Sequence, residues 1–172
     1  MRLNTQVIGK RMTHGYAGSY SRQPDSVIDT HAVSGGAKEI RFGLGVVYGT
    51  DGGVVLPAAG ASAGQFLGIA VREVKSATDF LNQNAGVYNP GEAAAIMKRG
   101  CVNVVCQRGT PKAGGEVHMR LAENASYPAA VIGGFEAEAD GENTAKLENC
   151  QWKGIADANG IAELRILTII NA

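Results

Sequence analysis

The alternation of apolar and polar residues carries most of the structural signal in this chain. In Glu39–Val47, Ile40, Phe42, Leu44 and Val46 alternate with Glu39, Arg41, Gly43 and Gly45. That period of two predicts a half-buried strand. The cluster Gly49-Thr-Asp-Gly-Gly53 predicts a turn, with Val54–Leu56 returning as a strand before Pro57. Ala58–Gly64 reads as a loop of small residues, and Gln65–Val74 as the next strand, with Phe66 closing over Gly68. Glu92–Arg99 and Cys101–Gln107 read as strands broken at Gly100, where an interior glycine marks a bend or bulge. In Glu116–Ala122, Val117, Met119 and Leu121 share one face, and His118 points the other way, to solvent or to a subunit contact.

The clearest local signal lies near the C-terminus. Cys150–Asp157 and Ile161–Ile169 flank Ala158-Asn-Gly160, a hairpin signal. Leu164, Ile166 and Ile170 share one face, and Glu163, Arg165, Leu167 and Ile169 share the other. A strand apolar on both faces is central or covered by a neighbour. Turns are also expected at Tyr88-Asn-Pro-Gly91 and Gly109–Gly115. Lys75–Gly91 is the longest irregular stretch, and Ser76-x-x-Asp79 can cap one short helix there. The count comes to eight to ten short strands. The expected fold is mainly β: a small β-sandwich, jelly-roll-like or barrel-like body. No internal repeat of 20–50 residues is present.

Residues 1–36 differ from the rest. They are rich in Gly, Ser, Thr, His and Arg and sustain no apolar period. They are expected to be an extended N-terminal arm on a single β-rich domain of residues 37–172. Fully extended, ~35 residues reach about 115 Å, more than an internal linker needs.

Composition supports the β reading. The chain has 172 residues, which suits one domain with or without an arm. Its 24 glycines outnumber its nine Phe and Tyr, and they follow no collagen period, which points to many tight turns. A body of this size buries roughly 70% of its unfolded surface and folds without metal or disulfide.

Sixteen basic and sixteen acidic residues cancel, so no general attraction to nucleic acid or to a membrane is expected. The charge is unevenly placed. Residues 1–24 hold four of the basic residues and no acidic one, leaving twelve against sixteen, a net of −4, for the remainder. One reading is a solvated tail whose charge has no role. The other is a basic arm lying on an acidic partner, with Arg2, Lys10, Arg11, Tyr16, Tyr20 and Arg22 as its contact residues.

Motifs for chemistry are scarce. Cys101, Cys106 and Cys150 are odd in number, and Cys101-x4-Cys106 fits no common zinc spacing. On one strand the first two point to opposite faces. All three read as small buried hydrophobes in a reducing compartment. Gly43-x-Gly45-x-x-x-Gly49 departs from the dinucleotide fingerprint, and Gly9-Lys10 is followed by Arg11 rather than the Ser or Thr of a phosphate loop. His14, His31 and His118 have no second His at metal spacing. Glu136–Glu142 reads as a solvated acidic loop, with cation binding the less favoured alternative. Asn124-Ala-Ser126 is a glycosylation sequon without a secretory signal. No catalytic residue, cofactor or metal site is expected. No stretch approaches the ~18 apolar residues of a membrane span.

The order of the strand and turn segments resembles a known family. Phe42-Gly-Leu-Gly-Val-Val-Tyr48 is followed by Val54-Val-Leu-Pro57, Phe66-Leu-Gly-Ile-Ala-Val71 and Tyr88-Asn-Pro-Gly-Glu92. Ala95-Ile-Met-Lys-Arg-Gly100 leads into Val102-Asn-Val104, and Thr110-Pro-Lys-Ala-Gly-Gly-Glu-Val117 comes next. This resembles the cement, or capsid decoration, proteins of tailed bacteriophages over roughly residues 40–120, and loosely over the C-terminal hairpin. His118 stands where that pattern has Tyr, and Lys75–Gly86 aligns with nothing specific.

The resemblance implies a non-enzymatic virion protein on the outside of an icosahedral shell, made in the bacterial cytoplasm. It implies the major capsid protein as partner, and a homo-oligomer, a trimer rather than a dimer because trimers match the local three-fold axes of a capsid lattice. The alternatives are another virion part (a tail, baseplate or head-fibre subunit) and, less favoured, a small β-fold enzyme.

Overall fold

The computed structural model describes residues 13–73 and 85–169. The expected cap at Ser76 and Asp79, together with Ile170, lies outside them.

One long strand organises the fold. β7 (Ala93–Val105) has thirteen residues. It pairs antiparallel with β1 (Tyr20–Ala32), β5 (Phe66–Ala70) and β12 (Ile161–Ile166). β5 continues to β3 (Gly45–Tyr48) and β4 (Val54–Val55), and β12 to β11 (Cys150–Trp152), which completes a seven-stranded sheet. A three-stranded sheet of β8 (His118–Arg120), β9 (Phe135–Glu136) and β10 (Thr144–Lys146) and a two-stranded sheet of β2 (Ile40–Arg41) and β6 (Val87–Tyr88) complete the body. The mainly β expectation holds. A parallel bridge, Val33 to Val54, links the end of β1 to β4 without closing a barrel, and another, Cys106 to Phe135, links the end of β7 to β9. Among the described residues there are twelve strands against the eight to ten expected, because the pattern over 39–47 splits into β2 and β3 at Gly43 and several strands are only two residues long.

Gly100 explains how β7 serves two cores. Ala95 and Met97 pack against the same core as Val102 and Val104, although an unbroken strand would place odd and even positions on opposite faces. Gly100, at φ +132°, sits inside the strand, and β1 shifts register opposite it, with Arg22 facing Cys101 and Val27 facing Arg99. A Cβ at residue 100 would lie 2.9 Å from the Asp25 carbonyl. The break expected at Gly100 is therefore a switch of faces within β7, opposite a bulge in β1, where five residues are spanned against two in β7.

The larger core lies between the seven-stranded and three-stranded sheets and holds Phe66, Met97, Val102, Met119, Phe135, Trp152 and Leu164. The smaller one, Val33, Ile40, Val54, Tyr88 and Ile96 among others, gathers around β2 and β6. Gly68 is needed there because β7 passes close: a Cβ would lie 2.4 Å from the Met97 carbonyl oxygen. Phe66 packs over Gly45, where a Cβ would lie 3.3 Å from its ring.

The hairpin at 150–166 forms as expected. Asp157 Oδ1 accepts from the amides of Asn159 (2.8 Å) and Ile161 (3.0 Å) and fixes the turn. β12 is central, between β11 and β7.

Two expectations change. Residues 20–32 of the expected arm are not detached from the body. They form β1, and Val33 is a core residue, so the boundary placed at residue 36 falls inside the packed domain. His118 does not face solvent. It is buried, as are Arg120 and Glu136, because the second face of β8 is covered as well.

Candidate functional site

Of the six expected contact residues, Arg2, Lys10 and Arg11 lie outside the described residues. Tyr16, Tyr20 and Arg22 lie on the strip that leads into and along β1, where the chain meets Arg72, Glu73 and Glu163. Tyr16 is exposed, with the Arg72 guanidinium 5.4 Å from its ring centroid, a cation–π contact. Tyr20 packs against the larger core, and its hydroxyl donates to Glu73. Burial, then that hydrogen bond, pushes the Tyr20 hydroxyl well above its usual pKa. Arg22 makes a two-pronged contact with Glu163, Nε at 2.5 Å and Nη2 at 3.1 Å. Burial is the largest single effect on the Glu163 carboxyl and pushes it up, but the bond and charge of Arg22, with bonds from Ser21 and Cys101, together hold the group below its usual range. The polar tips of Tyr20 and Arg22 thus bind within the chain and tie β1 to the body.

Further along β1, Asp25 accepts from Arg99 Nε (2.9 Å) and Nη2 (2.7 Å), and Asp29 lies 2.8 Å from Lys98 Nζ. At the other end of the strip, Asn103 Nδ2 donates to the His14 carbonyl (2.6 Å), and the His14 amide donates to Asp157 (2.9 Å).

Beside Tyr16 the surface opens into a groove of about 510 Å³. Phe42 and Leu44 line it, with Val105 and Val131 exposed at its sides and, among the described residues, Arg41 and Arg72 as its only charged lining residues. Gln107 Oε1 accepts from the Val131 amide (2.8 Å) and holds that wall in place. Sequence reasoning selected Tyr16 but missed the rest. The lining comes from segments up to 118 residues apart, Tyr16 to Gly134, and no local pattern joins them.

The acidic stretch at 136–142 is solvated only in part: Glu138 and Glu142 are exposed, whereas Glu136 and Asp140 are bound within the chain. Arg120 Nε lies 2.5 Å from Glu136 Oε1, with both side chains fully buried, and Arg120 Nη2 reaches Asp140 at 3.0 Å. Asn124 Nδ2 donates to Asp140 at 2.9 Å. That bond leads the effects holding the Asp140 carboxyl below its usual range. Asn124 Oδ1 accepts from the Ser126 amide, so the sequon is a local turn. Arg108 adds a longer contact to Glu136 (3.7 Å) and stacks 4.5 Å from the Tyr127 ring centroid.

Burial leads the causes that raise the thiol pKa of Cys101, Cys106 and Cys150, so they stay protonated at neutral pH. Cys101 and Cys150 are buried and Cys106 is partly so, and none is in a disulfide. Among the described residues, no group of three or more His, Cys, Asp or Glu is placed to hold a metal ion. No described helix is long and apolar enough to cross a membrane.

A comparison with protein families matches residues 3–167 to the family described as "Structural cement protein (E217 gp24/Pam3 gp6)". The chain belongs to this family. The cement-protein match spans β1 as well as the body, so the family includes the strand read from sequence as part of a separate arm. Among solved structures, a chain of "The capsid of Myoviridae Phage XM1" shares the fold. Its TM-score is 0.66 at 16% identity, over 98% of this chain and 99% of that one. No curated protein matches. Membership makes this cement protein a structural component of the virion that associates with capsid proteins.

Proposed function

We propose that this protein binds the outer surface of an icosahedral phage capsid and cements neighbouring major capsid protein subunits. The family match over residues 3–167 carries the reading. On this reading its partners are the major capsid protein and copies of itself, in a trimer rather than a dimer, with no nucleic acid, membrane, cofactor or catalysis involved. It is made in the host cytoplasm and acts on the assembled shell.

Avidity supports this role. Packed DNA pushes capsid subunits apart. A subunit that touches two neighbours makes the second contact at high effective concentration, so modest single contacts add up to firm attachment. A net charge of zero removes the self-repulsion that opposes assembly.

Attachment is assigned to the N-terminal strip: Arg2, Lys10, Arg11, Tyr16, Tyr20 and Arg22. Tyr20 and Arg22 serve it indirectly, because their tips are bound to Glu73 and Glu163 and hold the strip in place. Arg2, Lys10, Arg11 and the exposed Tyr16 are the direct contacts.

The test is co-sedimentation with shells that lack this protein. Deleting residues 1–36 would remove β1 and destroy a sheet neighbour of β7, so the truncation stops at residue 12. The full chain is expected to sediment with shells. The truncated chain is expected to keep its unfolding temperature and lose most of its binding. Undiminished binding of the truncated chain would overturn the role of residues 1–12.

A further inference from the structure

The groove beside Tyr16 has a specific chemistry that the family match does not assign. We infer that it takes an extended segment of the capsid protein carrying an apolar side chain next to a carboxylate. The inference rests on the cementing role proposed above.

Charge is the first argument. Among the described residues the lining holds Arg41 and Arg72 and no acidic residue. Among the described residues Arg41 has only a loose ion pair, 3.8 Å, with the exposed Glu39. Among the described residues no carboxylate lies within salt-bridge distance of Arg72, whose contact is the ring of Tyr16. The planar fork of an arginine matches a carboxylate with two parallel hydrogen bonds. The chain's own residues 1–12 are a poor occupant by the same criterion, since they carry Arg2, Lys10 and Arg11 and no acid.

Apolar surface is the second argument. Tyr16, Val105 and Val131 are large hydrophobic residues left exposed, and all three line this one groove. Tyr and Arg together are the residue types that dominate binding energy at protein interfaces. The volume, about 510 Å³, holds a few side chains rather than a globular surface.

Pre-organisation is the third. Backbone bonds from Gly43 to Ala70 (2.7 Å) and from Gly45 to Gly133 (2.8 Å) fix the floor, and Gln107 fixes the Val131 wall. A partner segment therefore loses its own freedom on docking but does not have to order the groove.

The experiment uses the full chain and shells lacking it, with Arg72→Glu and Val131→Asp as variants. Both sites are on the surface, so unfolding temperature and oligomer size should stay as in the unmodified protein. Each variant is expected to weaken shell binding about ten-fold or more, the scale of one lost interface anchor. Arg72→Lys should recover part of it. A photo-crosslinking residue at position 105, in the otherwise unmodified protein, should join to a capsid-protein peptide with a carboxylate beside an apolar residue.

The inference is overturned if both variants bind shells normally. It is also overturned if they change oligomer size instead, or if the crosslink joins two positions of this chain, because a segment of this protein then fills the groove. Failure of the unmodified protein to bind shells reads differently: it contradicts the cementing role and removes this inference with it.

Discussion

β12 and β1 both run antiparallel to β7, yet they are held by different forces. β12 has six residues, all but one of them buried, with a strand on each side. β1 has thirteen residues, and among the described strands only β7 pairs with it. Most of β1 is exposed or half-buried, and ion pairs to Glu163, Arg99 and Lys98 line its length. Strand length is thus a poor guide to what holds a strand. Apolar burial is worth roughly 25 cal/mol per Å², whereas exposed ion pairs contribute about 0–1 kcal/mol each. β12 belongs to the scaffold. β1 is a surface strand set by polar contacts and a few apolar anchors such as Ile28.

The contrast between buried and surface pairs can be pushed to its limit in the three-stranded sheet. Arg120→Met should cost about 3–5 kcal/mol, because it strands the fully buried Glu136 carboxylate. The double variant Arg120→Met/Glu136→Leu should be less destabilised than the single one. Equilibrium denaturation of the three proteins measures both effects.

Leu164→Ala in β12 comes next, at about 2–5 kcal/mol for a fully buried leucine. Ile28→Ala in β1 should cost clearly less, since Ile28 is only partly buried. Equal losses would break the comparison.

A smaller effect concerns pH. Burial is the main cause holding His118 below its usual 6.5. Lys146 and Arg108 push the same way, and Glu116 and Glu136 oppose. The unfolded chain therefore takes up the proton first as pH falls. Stability from the neutral His118 is full above about pH 6.5 and declines below it, toward the lower pKa of the folded state. His118→Gln should flatten the loss between pH 7.5 and 5.5, read from denaturation midpoints. His31 on β1 shifts in the same direction, mainly by burial, and leaves a residual slope.

Smallest of all is Arg99→Ala, which removes an exposed pair with Asp25 and should cost about 0–1 kcal/mol. Its signature is local: faster amide exchange in β1 than in β12, with the midpoint almost unmoved.

What could be read from the sequence follows the range of the determining contacts. The hairpin at 157–160 was legible because Asp157 and Gly160 act within four residues. The face of Val117, Met119 and Leu121 was legible for the same reason. The opposite face was misread because Arg120 finds Glu136 and Asp140 sixteen and twenty residues away, and a buried arginine looks like an exposed one in an alternating pattern. β1 was missed because its anchors are more distant still: Glu163 for Arg22 and Arg99 for Asp25. Its bulge also breaks the period. The groove could not be seen at all, since Tyr16, Arg72, Val105 and Val131 meet only after folding.

The central claim is tested most directly by a cryo-electron microscopy map of the intact particle. The account predicts density for this chain on the outer surface of the shell, touching two or more capsid protein subunits, with the Tyr16 strip at the contact. Density confined to the tail or baseplate, or touching one capsid subunit alone, would contradict it.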